Sequence, residues 1–316
     1  MKFTIGWFTN RLDPRFEWFF NSLSNQLAPD DQVRVIAIDF YANTPLRSET
    51  LLKDCREDSR ITVEFHPPAP NVWNGPHRLT KENHFNAAGA RNTAVCLCED
   101  EHLVIADDLS VLMPGWVQAV KEALRRGGIT LGCYRKVYDM RVNDGHLEHF
   151  RHHEQGMDHR VAHLKTHGPQ RAYPSWFYGC SVVLPIEAVM QTNGFPEALC
   201  ASLAYEDTGM SLMLSNNGWS FLIDPRMMTY ESEELHHQPG QHFVRLDPCR
   251  GDPNAVPRDD MSHAMLRILE HAKNHPNYFG PEGIRGLRQR VLRGEPFPIM
   301  TIPEHCWFTG KLLKDL

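Results

Sequence analysis

The chain of 316 residues predicts an α/β fold: a mostly parallel, doubly wound sheet with a C-terminal helical extension. Three observations carry that prediction. Short apolar runs alternate with helical patterns as far as Arg126, the arrangement that builds parallel sheets covered by helices. Several of those runs end abruptly on polar residues, at Thr9-Asn10-Arg11, Asp39 and Asp107-Asp108. After residue 245 the pattern gives way to polar sequence rich in Pro and Gly, followed by helical stretches. The expected division is therefore a domain over 1–245 and an extension over 246–316.

Phe3 to Phe8 reads as the first strand. Pro14 to Leu27 follows as an amphipathic helix, with Phe16, Phe19, Phe20, Leu23 and Leu27 near helical spacing. Val33 to Ile38 is a second apolar strand, and Leu46 to Cys55 can form a short helix. Ile61 to Phe65 alternates as a third strand. Asn86 to Cys98 is an Ala-rich helix, His102 to Ile105 a fourth strand, and Trp116 to Arg126 the next helix. Ile129 to Val137 and Tyr178 to Leu184 read as strands on either side of a polar, histidine-rich segment. Tyr205 to Asn217 is helical and closed by Gly218, and Trp219 to Asp224 is a short strand. Ser262 to Lys273 and Gly283 to Arg293 are helical again.

A net charge of −6 gives no global attraction to nucleic acid or anionic membrane. No apolar stretch approaches the roughly 20 residues that span a bilayer. The first residues read directly as a strand without the layout of a signal peptide. The eight cysteines form no CxxC pair. These features lead to the expectation of a cytoplasmic protein with reduced thiols.

The most informative stretch is Val104-Ile105-Ala106-Asp107-Asp108-Leu109-Ser110. Two acids at the end of a buried strand are costly unless something positive meets them. A hard divalent cation carrying a diphosphate is one such partner; capping of the following helix is the other reading. In open α/β sheets ligands bind beyond the carboxyl ends of the strands. Thr9-Asn10-Arg11, Asp39 and Asp107-Asp108 would share that rim, which favours a ligand.

Several segments together resemble the family 2-like glycosyltransferases of the GT-A fold. They are Phe8-Thr9-Asn10-Arg11 after the first strand, Ile38-Asp39 after the second, and Gly89-Ala90-Arg91-Asn92-Thr93 in a helix. Ile105-Ala106-Asp107-Asp108 then leads to Pro114-Gly115-Trp116. Downstream lie Tyr178-Gly179-Cys180-Ser181, Gly194-Phe195-Pro196-Glu197, Glu206-Asp207 and Gly218-Trp219. The resemblance covers roughly residues 1 to 240. It departs from the pattern at Ala106, where many relatives carry a further Asp.

The resemblance implies a nucleotide-sugar donor, UDP-linked, and a metal-dependent, inverting transfer to an acceptor hydroxyl. It implies Mn²⁺ or Mg²⁺ on Asp108, with Asp107 nearer the ribose or sugar. A third ligand is expected from Glu231 to Gly240, with His237 or His236 favoured, in a segment that could fold over the donor as a lid. Thr9 and Arg11 can flank the nucleobase, with a solvated surface charge the other reading of Arg11; Asn10 is a further donor contact, and Asp39 can accept the base N–H or cap a loop. Arg91 could contact the nucleotide or form an internal salt bridge. Asp207, with Glu206 second, would be the general base. Acids at a helix N-terminus are favoured as anions, so a plain helix-terminal pair is the alternative.

The acceptor could be a glycan, a protein, a small molecule or a hydroxylated DNA base. Arg285, Arg288, Arg290 and Arg293 keep the last open by offering a basic helix. His159, His163 and His167 would share a helix face, where a metal or a solvated acceptor-side insertion are both readings. A nucleotidyltransferase ranks lower, since no Gly-rich phosphate loop follows the first strand. A nucleotide-sugar-binding module without catalysis is motivated by Ala106 and opposed by the two retained acid pairs.

Overall fold

The computed structural model describes residues 1–81, 83, 85–202, 205–238, 268–270, 273, 274, 277, 279–299 and 314. In chain order the elements begin with β1 (Lys2–Thr9), α1 (Phe16–Ser24), β2 (Gln32–Asp39), α2 (Arg47–Leu52) and β3 (Ile61–His66). Next are α3 (Ala87–Leu97), β4 (His102–Asp107), β5 (Ser110–Leu112), α4 (Trp116–Arg126), β6 (Ile129–Asn143) and β7 (His146–Met157). β8 (Gln170–Ala172), β9 (Ser181–Pro185), α5 (Ile186–Gln191), α6 (Tyr205–Asn216), β10 (Phe221–Ser232), α7 (Glu233–His236) and α8 (Gly283–Leu292) follow. They fall into two compact units. One comprises Met1–Pro67, Asp100–Pro185 and Ser220–Gln241; the other comprises Pro68–Glu99, Ile186–Trp219 and the described residues of His242–Leu316. The boundary expected at 245 lies outside the described residues.

The first unit is built on one sheet in the order β3-β2-β1-β4-β9-β6-β10-β5, with β7 on β6 and β8 on β10. β1, β2, β3 and β4 run parallel. β9 reverses, β6 returns, and β10 follows β6 in parallel. β1, β2, β3, β4, β6 and β10 thus share a direction, and β5, β7, β8 and β9 oppose it. The sheet is mostly parallel, as the alternation of elements predicts.

The phenylalanine stripe of α1 closes one face of the sheet. Phe16 meets Trp7 edge-on with ring centroids 4.7 Å apart and Phe65 at 5.5 Å, a geometry aromatic quadrupoles favour. Trp116 at the start of α4 is fully buried, and its indole N–H donates to Ser181 Oγ at 3.0 Å. Gly132 of β6 makes this junction possible. A Cβ there would sit 2.3 Å from the carbonyl oxygen of Met227 and 2.4 Å from Ser181 Oγ, so only glycine admits β10 so closely.

The histidine-rich segment differs from expectation. β6 runs six residues beyond Val137 and returns as β7. The turn is Asp144-Gly145, with φ 49° and 77°, the two positive φ values of a type I′ hairpin. His146, His149, His152 and His153 therefore lie on a strand. His159 and His163 bound a short 3-10 turn rather than an α-helix, and His167 lies past it. The expected shared helix face of His159, His163 and His167 does not exist.

The second unit is helical. α3 packs on α6 and α8, and α5 on α6. Asn86 caps α3 by accepting the N–H of Gly89 at 2.7 Å. α8 confirms the helix expected over 283–293. Of the helix expected over 262–273, only 268–270 and 273 lie within the described residues, all helical.

Candidate active site

Sheet register brings the predicted strand exits to one rim. Phe8 pairs with Asp107, and Thr9 with Asp39. Asp108 is 8% exposed and meets two partners there. Thr9 Oγ1 donates to its Oδ2 at 2.6 Å, and Arg11 Nη1 donates to Oδ1 at 2.6 Å and Oδ2 at 2.8 Å. Arg11 is itself 6% exposed, so the pair is buried. Its other terminal nitrogen, Nη2, donates to His236 Nδ1 at 3.1 Å. Arg11 Nε is buried with no hydrogen-bond partner. The sequence left Arg11 as a base-flanking group or a surface charge; it is a buried bridge between Asp108 and His236.

Directly after Asp108, Leu109 takes a left-handed backbone with φ 56°. A bulky residue in that region stores about 1–3 kcal/mol of strain. The turn is held by Leu109 N–H donating to Pro14 O at 3.0 Å and Ser110 Oγ donating to Asp107 O at 2.8 Å. Asp107 is the partly exposed member of the acid pair. Asn10, one residue after the end of β1, is buried.

Asp39 is completely buried. Arg47 Nε donates to its Oδ2 at 2.6 Å, and the Tyr41 N–H to Oδ1 at 2.9 Å. Burial pushes the Asp39 carboxyl upward, against the pull of Arg47. Arg47 also donates to the carbonyls of Leu12 at 2.5 Å and Arg11 at 2.6 Å. It thereby locks the turn that aims Arg11 at Asp108. A nucleobase N–H at Asp39 would share the carboxylate with Arg47. The sequence reading missed Arg47, for which only its place eight residues after Asp39 was a cue.

Glu231, near the end of β10, opens the segment expected to supply a third ligand, although the histidines were favoured over it. It pairs in register with Ser110 of β5 and Lys136 of β6. Burial is the main cause that pushes its carboxyl up to about 7; Lys136 and Thr229 pull it down, and the charge of Asp108 adds to the rise. The folded chain therefore binds this proton more tightly than the unfolded chain, and stability falls as pH rises from about 4.5 to about 7. Glu231→Gln is expected to raise stability at pH 8 by on the order of 1–3 kcal/mol, and to leave it unchanged at pH 4, in urea denaturation. A variant no more stable than wild type at pH 8 would contradict this.

The two histidines proposed as ligands separate. His236 joins Arg11. His237 is exposed, and its Nε2 pairs with Glu233 at 3.1 Å. Among the described residues no three His, Cys, Asp or Glu side chains are gathered as a ready metal cage.

In the second unit, Glu206 and Asp207 open α6. Arg91 of α3 meets both: Nη1 donates to Glu206 Oε1 at 2.9 Å and to Asp207 Oδ1 at 2.6 Å. Of the two readings left open for Arg91, the internal salt bridge is present. The neighbouring Asn92 donates to Glu197 Oε1 at 2.9 Å, and Asn86 to Oε2 at 3.3 Å. Glu197 is 1% exposed, and burial raises its carboxyl above the usual range. Its motif was quoted in the sequence, but no role followed from it. The arginines of α8 have internal partners. Arg285 pairs with Glu187, Arg288 with Cys98 O, Arg290 with Phe279 O, and Arg293 with Glu295.

No family model and no curated protein matches the chain. Solved structures do. GalNAc-T7, crystallised with UDP, GalNAc and Mn²⁺, aligns over 94% of this chain and 55% of its own, at 12% identity and a TM-score of 0.52. The fold is GT-A-like. S. aureus TarS aligns over 73% of this chain and 37% of its own, at 14% identity and a TM-score of 0.47. The chain spans about half the length of GalNAc-T7. In the GT-A-like sheet, the rim carrying Thr9, Asp39, Asp107 and Asp108 is the carboxyl-end rim at which α/β sheets receive ligands. Among the described residues no helix is long and apolar enough to cross a membrane.

Proposed function

We propose that the chain is a glycosyltransferase of hexosyltransferase type that moves a sugar from a UDP-linked donor to an acceptor hydroxyl. The observation that supports this best is the buried Thr9–Arg11–Asp108 cluster on the carboxyl rim of a GT-A-like sheet. UDP, GalNAc and Mn²⁺ in the GalNAc-T7 structure support a nucleotide-sugar and a divalent cation by likeness of fold. Thr9, Asn10, Arg11, Asp39 and Asp107 are the proposed donor contacts. Arg91, for which a nucleotide contact and an internal salt bridge were both open, is proposed to orient Asp207.

The donor set on the rim fits a divalent ion in chemistry. Asp107, Asp108 and Glu231 offer hard oxygens and His236 offers an imidazole. Asp108, with His236 and Glu231 as partners, would hold Mn²⁺ or Mg²⁺; His237, paired to Glu233, is the weaker candidate. Such an ion would neutralise the departing diphosphate. Arg11 brings positive charge to the same place. Asp207 is the proposed base: it takes the acceptor proton as the acceptor oxygen bonds to the anomeric carbon. The bond to the phosphate oxygen breaks with its electron pair, and attack opposite that bond inverts the centre.

The acceptor is proposed to be a glycan, protein or small molecule. A hydroxylated DNA base is disfavoured by the internal partners of the α8 arginines. Cys55, Cys96, Cys98, Cys133 and Cys180 form no disulfide, which supports the cytoplasm as the compartment.

A thermal-shift panel of nucleotide-sugars with and without Mn²⁺ tests this reading. A bound donor raises apparent stability by mass action. At least one UDP-sugar is expected to raise the melting temperature; failure of every nucleotide-sugar to do so would overturn the proposal.

A further inference from the structure

The guanidinium of Arg11 lies between two side chains that a metal ion would use. Nη1 engages both oxygens of Asp108, and Nη2 faces Nδ1 of His236. Arginine has only donors, so His236 Nδ1 must accept, and it does so with the lone pair that would bind a metal. Thr9 Oγ1 takes a further site on Asp108 Oδ2. A carboxylate has about four acceptor positions, and these contacts use three of them. One position remains, and the Arg11 guanidinium beside it opposes a divalent ion there by like charge.

Two features make this arrangement releasable rather than a plain structural ion pair. Arg11 Nε is buried without an acceptor, so the bridge leaves one donor of the guanidinium unmet, which costs stability. Glu231 pairs in register with Ser110, two residues after Asp108, and so brings a further carboxyl to the same rim. A diphosphate offers a guanidinium several strong acceptors in fork geometry.

We propose that Arg11 is a built-in cation that holds the metal position of Asp108, and that a divalent ion enters only as Arg11 moves onto the phosphates of an arriving nucleotide. The inference rests on the nucleotide-sugar reading for the identity of that anion. Metal and nucleoside diphosphate then bind with positive coupling, and the coupling is reciprocal. The Nδ1 of His236 is released from Arg11 in the same step.

The test is titration of the full chain with Mn²⁺ alone, followed by the electron paramagnetic resonance signal of free Mn²⁺, and repeated with UDP present. Wild type is expected to bind Mn²⁺ weakly alone and about tenfold or more tightly with UDP. Arg11→Gln is expected to bind Mn²⁺ alone about tenfold more tightly than wild type, and to lose most of the UDP effect. Arg11→Lys keeps the charge but cannot bridge Asp108 and His236, so its affinity should fall between the two. It also serves as the deciding variant where circular dichroism shows Arg11→Gln unfolded. A folded Arg11→Gln, or failing it Arg11→Lys, with Mn²⁺ affinity equal to or below wild type overturns the inference. So does a lack of Mn²⁺ binding by any variant. Neither result touches the nucleotide-sugar reading, which stands or falls on the thermal shift by UDP-sugars.

Discussion

Asp207→Asn is expected to lower the rate of sugar transfer by about 10²–10⁴-fold, the usual contribution of a positioned general base, while donor affinity stays within about twofold. The substitution preserves shape. It also leaves Glu206 as the counter-charge of Arg91, at 2.9 Å, so α6 keeps its tie to α3. A fall in kcat with intact folding therefore reports chemistry rather than collapse. Glu206→Gln is the matched control: it removes the other partner of the same guanidinium and should cost far less rate. Arg91→Met separates orientation from basicity, because it leaves two acids together without a cation and should destabilise the unit by about 3–5 kcal/mol. Unchanged turnover in Asp207→Asn, measured with a saturating acceptor, would remove Asp207 from the mechanism.

Asp108→Ala is expected to destabilise the chain by about 3–5 kcal/mol in urea denaturation, because it strands the guanidinium of Arg11 in a buried place. Asp108→Asn keeps an acceptor for Thr9 and Arg11 and should cost less. The pair Arg11→Met with Asp108→Leu replaces both charges by apolar groups. It should recover most of the loss, as buried ion pairs exchanged for packed hydrophobes commonly do. All three variants should lose Mn²⁺ binding. Metal binding that survived Asp108→Ala would place the ion elsewhere on the rim. A double variant as unstable as Asp108→Ala would show that the pair is required for packing beyond its charges.

The strand exits were legible because they are local facts. An apolar run that stops on Thr9, Asp39 or Asp107 states its own end, and parallel strands joined by helices bring like ends to one rim. The β6–β7 hairpin was also written in the chain, in Asp144-Gly145, a strong short-range turn signal. It was hidden by the density of histidines around it, which drew attention to helical spacing. The surroundings of Arg47, Glu197 and Glu231 were not legible in this way. Each is an ordinary polar residue in sequence, and its importance comes from burial: Glu197 from the two asparagine amides around it, and Glu231 from a register that sets it near Asp108.

The sequence by itself determined the alternation of strands and helices as far as α4 apart from the short β5, the rim on which polar residues emerge, and the acids that open α6. Periodicity and abrupt changes of polarity are readable over a few residues, and they decide which groups are forced to meet water or a partner. Only the tertiary structure decided which partner each charge takes. Arg11 and Asp108 are 97 residues apart, and Arg11 and His236 are 225 apart. No local pattern encodes such a pairing, because any of several arginines could satisfy a buried carboxylate. Sheet register and the Arg47 clamp on the Arg11 turn made the choice. The acid pair after β4, which in sequence could equally have capped a helix, thereby became a site whose cation is already supplied by the chain.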